Sequence, residues 1–200
     1  MRLLTMERLG MARDSSRSLA HWGDVDVLEA ADRVRVEVVG RGAVLPLVWM
    51  GDGLVVPVVT WDEDVLADRL RLNQWPVLYR AVLADRIAKG RDTDIPSPLR
   101  MEGFITVQPL RRATSVMARL SGSARVIAAV PTPPQPDPWD SMECDYYGFT
   151  VATVDPDLRV RVAVDGSSVG KSEHLPMSHN RRLRQEQLFD VALRAGAIPK

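Results

Sequence analysis

Hydrophobic and charged residues alternate early in the chain, which is the pattern of a β-strand with one buried face. In Arg33–Val38 every second residue is a valine and the residues between are charged. Two further apolar runs, Ala43–Met50 and Leu54–Thr60, flank Gly51-Asp52-Gly53, whose glycines tolerate the positive φ of a tight turn. The three segments together predict an antiparallel β-meander.

A pair of helices is predicted next. Thr60-Trp61-Asp62-Glu63 matches a capping box, in which the Thr60 hydroxyl accepts from the Glu63 amide. Pro76 ends this first helix and begins a second, which runs to about Lys89 before Gly90. The apolar residues of the second helix predict a buried stripe: Val77, Leu78, Tyr79, Ala81 and Val82. Shorter elements follow, namely strands over 104–110 and 125–130 and a helix over 113–120.

Five prolines lie between positions 131 and 138 and divide the chain. Such a run favours extended polyproline II and excludes a helix or a central strand. The segment 131–141 is therefore expected to be an exposed, mobile loop or a linker. We expect four regions: an arm or weak helix over 1–22, a meander with helices over 23–130, the proline segment over 131–141, and a hairpin with a helix over 142–200. The last region either forms one domain with 23–130 or is a separate domain.

The last region predicts a second hairpin. Tyr147–Val154 and Leu158–Val164 are joined by a proline-containing turn at 155–157. Its valines at 160, 162 and 164 are expected to face the core, which leaves Arg159 and Arg161 outside. A final helix, capped by Ser178 or Asn180, should end at Ala195 before Gly196. The fold class is α+β: an antiparallel meander with a helical pair, then a hairpin and a C-terminal helix.

Composition narrows the class of protein. Basic and acidic residues both number 26, so the net charge of zero gives no general attraction to nucleic acid or anionic membranes. The single cysteine, Cys144, forbids an internal disulfide and fits a reducing compartment. Because the apolar segment Val44–Trp61 contains prolines and a turn, no membrane span is expected. Arginine outnumbers lysine 23 to 3, which suggests a GC-rich bacterial genome. We expect a cytoplasmic protein.

Candidate catalytic patterns are incomplete. Gly166–Ser172 resembles a phosphate-binding loop, but only three residues separate its first glycine from Gly-Lys-Ser, and a solvated loop is the better interpretation. Cys144, His174 and His179 lack metal-ligand spacing. A nucleophile could pair Cys144 with His21, His174 or His179, yet the acidic neighbours of this thiol raise its pKa. No metal, cofactor or catalytic residue is assigned.

Charge and aromatic residues point instead to a partner. Segment 137–158 carries six acids and no base, whereas 159–200 carries eight bases and four acids. Complementary surfaces of this kind orient docking of another protein or of a second copy. Trp139, Tyr146, Tyr147 and Phe149 lie near the prolines with Met142. Either Tyr147 and Phe149 are core residues and Trp139 covers the core edge, or the cluster forms an interface, since Trp and Tyr are typical interface anchors. The partner-binding candidates are Trp139, Tyr146, Arg159, Arg161, Arg181, Arg182 and Arg184.

Three functional hypotheses follow. The first is a small cytoplasmic adaptor that binds proteins and carries out no catalysis. The alternative is an enzyme or small-ligand-binding protein with a pocket near His174, His179 and nearby carboxylates. The third, disfavoured because the arginines lack interleaved aromatic residues, is nucleic-acid binding through the C-terminal helix.

Overall fold

A computed structural model describes residues 19–90, 95–166 and 178–199, in which seven strands form one mixed sheet. The strand order is β1-β3-β4-β5-β6-β7, and β2 pairs with β3 beside β1. The strands are β1 Ala43–Val44, β2 Val48–Met50, β3 Gly53–Trp61, β4 Leu99–Thr106, β5 Arg125–Pro131, β6 Thr150–Val154 and β7 Val160–Val164. The helices are α1 Val27–Val34, α2 Glu63–Arg71, α3 Arg80–Ala88, α4 Leu110–Leu120, α5 Pro138–Tyr146 and α6 His179–Ala195.

The α+β mixture is confirmed, but the sheet is not the antiparallel meander that the sequence predicted. Its three central strands, β4, β5 and β6, run parallel, and the strands on either side of them are antiparallel. Parallel neighbours need a crossover, which α4 and α5 provide. Strand β5 is buried along almost its whole length, as expected for a parallel strand covered on both faces.

The predicted strand at Arg33–Val38 is wrong, because this segment is helical. Asp26 caps α1 by accepting hydrogen bonds from the amides of Leu28 and Glu29. The helix buries Ala30, Ala31 and Val34 against the sheet, which is a helical spacing rather than an alternating one. A π-helical turn, Arg35–Val39, extends it to Gly40, whose φ of 79° closes the helix.

The first predicted hairpin is confirmed. Strands β2 and β3 pair antiparallel with Met50 opposite Gly53, so the turn itself is the two residues Gly51 and Asp52. Both have positive φ, 64° and 66°, as the tight turns favoured in hairpins require. The expected single strand 43–50 is split around Pro46 into β1 and β2.

Both predicted helices are present, but the cap of the first and the start and buried residues of the second differ from the prediction. Asp62, not Thr60, caps α2, since its carboxylate accepts from the Val65 amide. Thr60 belongs to β3 and donates its hydroxyl to Glu102. The second helix, α3, begins at Arg80 rather than at Pro76. The buried stripe is wrong as well: Leu83 is buried, whereas Tyr79 is 78% exposed.

Helices cover both faces of the sheet. Helix α1 and Trp22 pack on one face with the strand residues Leu54, Val56 and Ile105. Helices α2, α4, α5 and α6 pack on the other face. The sheet therefore forms the middle of three layers. No helix in the described ranges is both long enough and apolar enough to span a bilayer.

The second hairpin is confirmed, but its valines do not share one face. A β-bulge lies at Ala163, because Ala152 pairs with Val162 and Val151 with Val164. Val160 consequently packs with the residues on the α1 side of the sheet, and Val164 with those on the α6 side. Helix α6 begins at the predicted cap Ser178, whose hydroxyl accepts from the Arg181 amide, and ends at Gly196 as expected.

A buried ion network joins α2 to α6. The Glu186 carboxylate receives two hydrogen bonds from Arg69, at 2.7 and 3.0 Å, and pairs with Arg182 at 3.0 Å. It also accepts from the amide of Val77 at 2.8 Å. Arg69 in turn donates to the carbonyl oxygens of Gln74, Trp75 and Pro96. The network thus fixes the chain on either side of α3 against the C-terminal helix.

Replacing Glu186 by alanine should destabilise the protein strongly, because two buried arginines would lose their counter-charge. Removal of one partner from a buried ion pair typically costs about 3–5 kcal/mol. The matched control is Asp85→Ala, which removes the exposed partner of Lys89 and should change the free energy of unfolding by less than ~1 kcal/mol. Urea denaturation measures both, and equal losses would contradict the assignment.

Candidate functional site

Helix α5 follows directly from the proline segment, and the sequence interpretation missed it. Asp137 caps the helix by accepting from the amides of Trp139 and Asp140, at 2.8 and 3.4 Å. Pro138 occupies the first turn, where its missing amide costs nothing. The predicted loop therefore shortens to residues 132–137, since Pro131 belongs to β5. The Asp-Pro pair is the local signal that could have revealed this helix.

One side of α5 is anchored in the core. Cys144 is fully buried in the hydrophobic cluster on the α6 side of the sheet. The helix ends at Tyr146, and the amide of Phe149 donates back to the Cys144 carbonyl at 2.8 Å. Phe149 is buried as expected of a core residue. The helix is therefore fixed in orientation at its cap and at its C-terminus.

The opposite side of α5 presents large hydrophobic residues to solvent. Trp139, Met142 and Tyr146 are 75%, 56% and 82% exposed. They are spaced three and four residues apart and so lie on one side of the helix; we call them the α5 outer face. Tyr146 contacts Tyr147 edge to face at 5.1 Å, and Tyr147 stacks on Phe149 at 5.8 Å. Trp139 does not cover the core edge, and Tyr147 is exposed rather than buried.

The helix that carries this face is acidic. Asp137, Asp140, Glu143 and Asp145 lie on the helix or at its cap, and no base occurs between 137 and 158. Glu143 stands one turn from both Trp139 and Tyr146, so its carboxylate borders the α5 outer face. The face therefore combines aromatic surface with negative charge.

The thiol of Cys144 is unsuited to nucleophilic chemistry. Burial, followed by the charges of Glu143 and Asp140, raises the pKa of this thiol from 9.0 to about 12. The reactive form of cysteine is the thiolate, which is scarce at neutral pH under these conditions.

The other predicted site residues lie in different places. Arg161 is exposed on the edge strand β7, and Arg159, which is exposed just before this strand, pairs with Asp157 at 3.5 Å. Arg182 is buried against Glu186, and Arg184 donates to Ser123 Oγ and to the Arg119 carbonyl. Arg181 is half-buried. Arg182 thus pairs with a carboxylate in the interior and Arg184 binds the end of α4, so the two do not belong to one exposed basic surface.

Of the three histidines, only His179 has its side chain in the described part of the chain. His179 is exposed in the first turn of α6. His174, the side chain of His21 and the phosphate-loop-like segment from 167 to 172 lie outside the described residues. Within the described part of the chain, no group of three or more His, Cys, Asp or Glu residues is placed to hold a metal ion.

A cleft of about 380 Å³ opens at the carboxyl ends of β5 and β6. Trp22, Pro131, Pro133, Val154 and Pro156 give it an apolar lining, and Asp24 and Thr132 add polar side chains. The Trp22 indole donates to the Val107 carbonyl at 2.8 Å, which fixes this wall of the cleft. Ligands of open α/β sheets bind at this end of parallel strands.

A second exposed aromatic surface lies between α2 and α3. Trp75 is 67% exposed, and Leu72 and Tyr79 are exposed beside it. The sequence interpretation placed Tyr79 in the core because the apolar spacing there resembles a helix face. Hydrogen bonds from Arg69 and to Glu186 hold the backbone of this segment. This surface provides controls matched in exposure to the α5 outer face.

Comparison with protein-family models, curated proteins and solved structures finds no match to this chain.

Cys144 should react far more slowly than an exposed cysteine in the folded protein, because burial raises the pKa of its thiol to about 12 and leaves little thiolate at pH 7. A thiol reagent monitored by absorbance measures this rate. Ser115→Cys, on the exposed side of α4, supplies the reactive control. Equal rates at both positions would refute the assignment.

The same shift predicts a pH dependence of stability. The unfolded chain loses the thiol proton near pH 9 and the folded protein near pH 12. The free energy of unfolding should therefore fall as pH rises through this range. Comparison with Cys144→Ala isolates the contribution of the thiol, since the variant lacks this part of the decrease.

Proposed function

We propose that this chain is a small adaptor that binds another protein through the α5 outer face. The observation that carries the proposal is the exposure of Trp139, Met142 and Tyr146 on one side of a helix whose other side is anchored in the core. Large apolar side chains grouped on a surface are typical of interaction sites. The adaptor role itself is the hypothesis that the sequence suggested.

Rigid presentation supports binding at this face. Tryptophan and tyrosine supply most of the binding energy at many protein interfaces. A helix that is already capped and packed loses little conformational freedom on association, which leaves more of the contact energy for affinity. The cap at Asp137 and the hydrogen bond to the Cys144 carbonyl provide this preorganisation.

Charge indicates the chemistry of the partner. The carboxylates around the α5 outer face favour a protein segment that carries arginine or lysine beside apolar residues. The acids would speed encounter and set orientation, and the aromatic side chains would supply affinity. Salt should therefore slow association more than it speeds dissociation, because exposed charges are screened within ~10 Å at 0.1 M salt.

Site-specific photo-crosslinking in the native host tests this proposal. A photoreactive amino acid at position 146 should yield a discrete crosslinked protein, whereas the same amino acid at Tyr79, of equal exposure, should not. With that protein purified, Trp139→Ala/Tyr146→Ala should weaken its binding about 30-fold, the size of a hot-spot loss of ~2 kcal/mol.

The matched control for affinity is Trp75→Ala/Tyr79→Ala, which removes a similar exposed aromatic area elsewhere and should leave the dissociation constant unchanged. Denaturation curves verify that both double variants remain folded. Unchanged binding by Trp139→Ala/Tyr146→Ala, or products at position 146 no stronger than those at position 79, would overturn the proposal.

The second candidate function is small-ligand binding in the cleft beside Trp22, which its place at the carboxyl ends of β5 and β6 favours. Its lining supports a mostly apolar ligand with a hydrogen-bonding or cationic group for Thr132 or Asp24. In a ligand screen by thermal shift, Thr132→Trp should abolish any response by filling the cleft. A response that instead disappears in Trp139→Ala would count against this site.

A further inference from the structure

The described chain begins close to the end of the sheet from which α5 starts. Trp22 and Pro133 line the same cleft, and Trp139 follows Pro133 by only six residues. Six residues span at most about 21 Å when fully extended. Leu19 packs with the hydrophobic residues on the α1 side of the sheet, which fixes the point from which residues 1–18 depart.

Residues 1–18 are long enough to reach the α5 outer face. Eighteen residues cover about 27 Å as an α-helix and about 60 Å when extended. The extended length exceeds the sum of the largest possible separations of Leu19 from Trp22, about 11 Å, and of Pro133 from Trp139, about 21 Å.

The chemistry of this segment complements that of the face. Its first eleven residues contain leucines and methionines at positions 1, 3, 4, 6, 9 and 11. Methionine adapts well to irregular apolar and aromatic surfaces. The segment contains four arginines, at 2, 8, 13 and 17, and two acids, Glu7 and Asp14, so its side chains carry a net charge of +2. The helix and cap of α5 contribute four acids and no base.

We infer that residues 1–18 bind the α5 outer face of their own chain and compete there with the partner; this inference rests on the proposed function. The segment is the kind of ligand, apolar and basic, that the face is proposed to recognise in another protein. Tethering gives it an effective concentration in the millimolar range, so weak intrinsic affinity suffices to cover the face. The partner must displace it, which lowers the apparent affinity by the fraction of chains that are open.

Contact quenching in the full-length chain tests the inference without any partner. Thr5→Cys can be labelled selectively with a dye that tryptophan quenches on contact, because Cys144 is buried and protonated. We expect quenched emission that rises severalfold when Trp139→Phe is added. Trp75→Phe, at a tryptophan of similar exposure, should leave the emission unchanged.

Charge reversal supplies a second test. Arg8→Glu/Arg13→Glu should release the quenching as Trp139→Phe does, and it should tighten partner binding about tenfold if nine chains in ten are closed. Arg111→Glu/Arg112→Glu, on the exposed side of α4, is the control and should change neither quantity. Quenching must be independent of protein concentration, because the segment and the face belong to one chain.

Emission that does not respond to Trp139→Phe, or quenching that disappears on dilution, would overturn the inference. Neither result affects crosslinking at position 146, so partner binding would stand on its own. Conversely, release of quenching by Trp139→Phe together with unchanged partner affinity when Trp139→Ala/Tyr146→Ala is added to Arg8→Glu/Arg13→Glu, in which the segment is already released, would remove the proposed function and leave the intrachain contact.

Discussion

The buried carboxylate of Glu186 is the constraint on which the arrangement of α2, the segment after it and the C-terminal helix depends. An ionised group without access to water must be neutralised and fully hydrogen-bonded, and Arg69, Arg182 and the Val77 amide do this. Because Arg69 also binds the carbonyls of Gln74 and Trp75, the backbone between α2 and α3 is held against this ion pair. The aromatic residues of the segment are exposed on an anchored backbone as a result.

Local signals predicted the parts of the fold that local chemistry determines. Ser178 and Gly196 bound α6 as expected, and Gly51 and Asp52 form the turn of the first hairpin. The strand predicted at Arg33–Val38 is wrong because valine at alternate positions fits a strand. The signals that decide for a helix lie upstream, in the cap at Asp26 and the helical spacing of the buried residues Ala30, Ala31 and Val34. Parallel pairing of β4, β5 and β6 could not be predicted, since an apolar run such as β5 is compatible with either direction.

The sequence named residues of the candidate site but did not predict the helix that carries them. The sequence proposed Trp139 and Tyr146 as candidate interface residues, but the prolines before them obscured the helix that places them on one side. Arg182 shows the opposite problem: its partner Glu186 stands four residues on, as any surface ion pair might, whereas the burial of both depends on Arg69, which is 117 residues from Glu186. Sequence spacing reveals which charges can meet and not which of them lose contact with water.

The edge strand β7 shows why a helix is the better surface for a partner here. Exposed edges invite pairing with other strands, and natural proteins prevent this with bulges and charges. Here the bulge at Ala163 interrupts the register, and Arg161 on the strand and Arg159 just before it add charge. These features oppose strand addition at β7, whereas α5, with its backbone hydrogen bonds already satisfied, offers side chains alone. The proposed binding through α5 would thus depend on matching shape and charge, which is the source of selectivity that an open strand edge lacks.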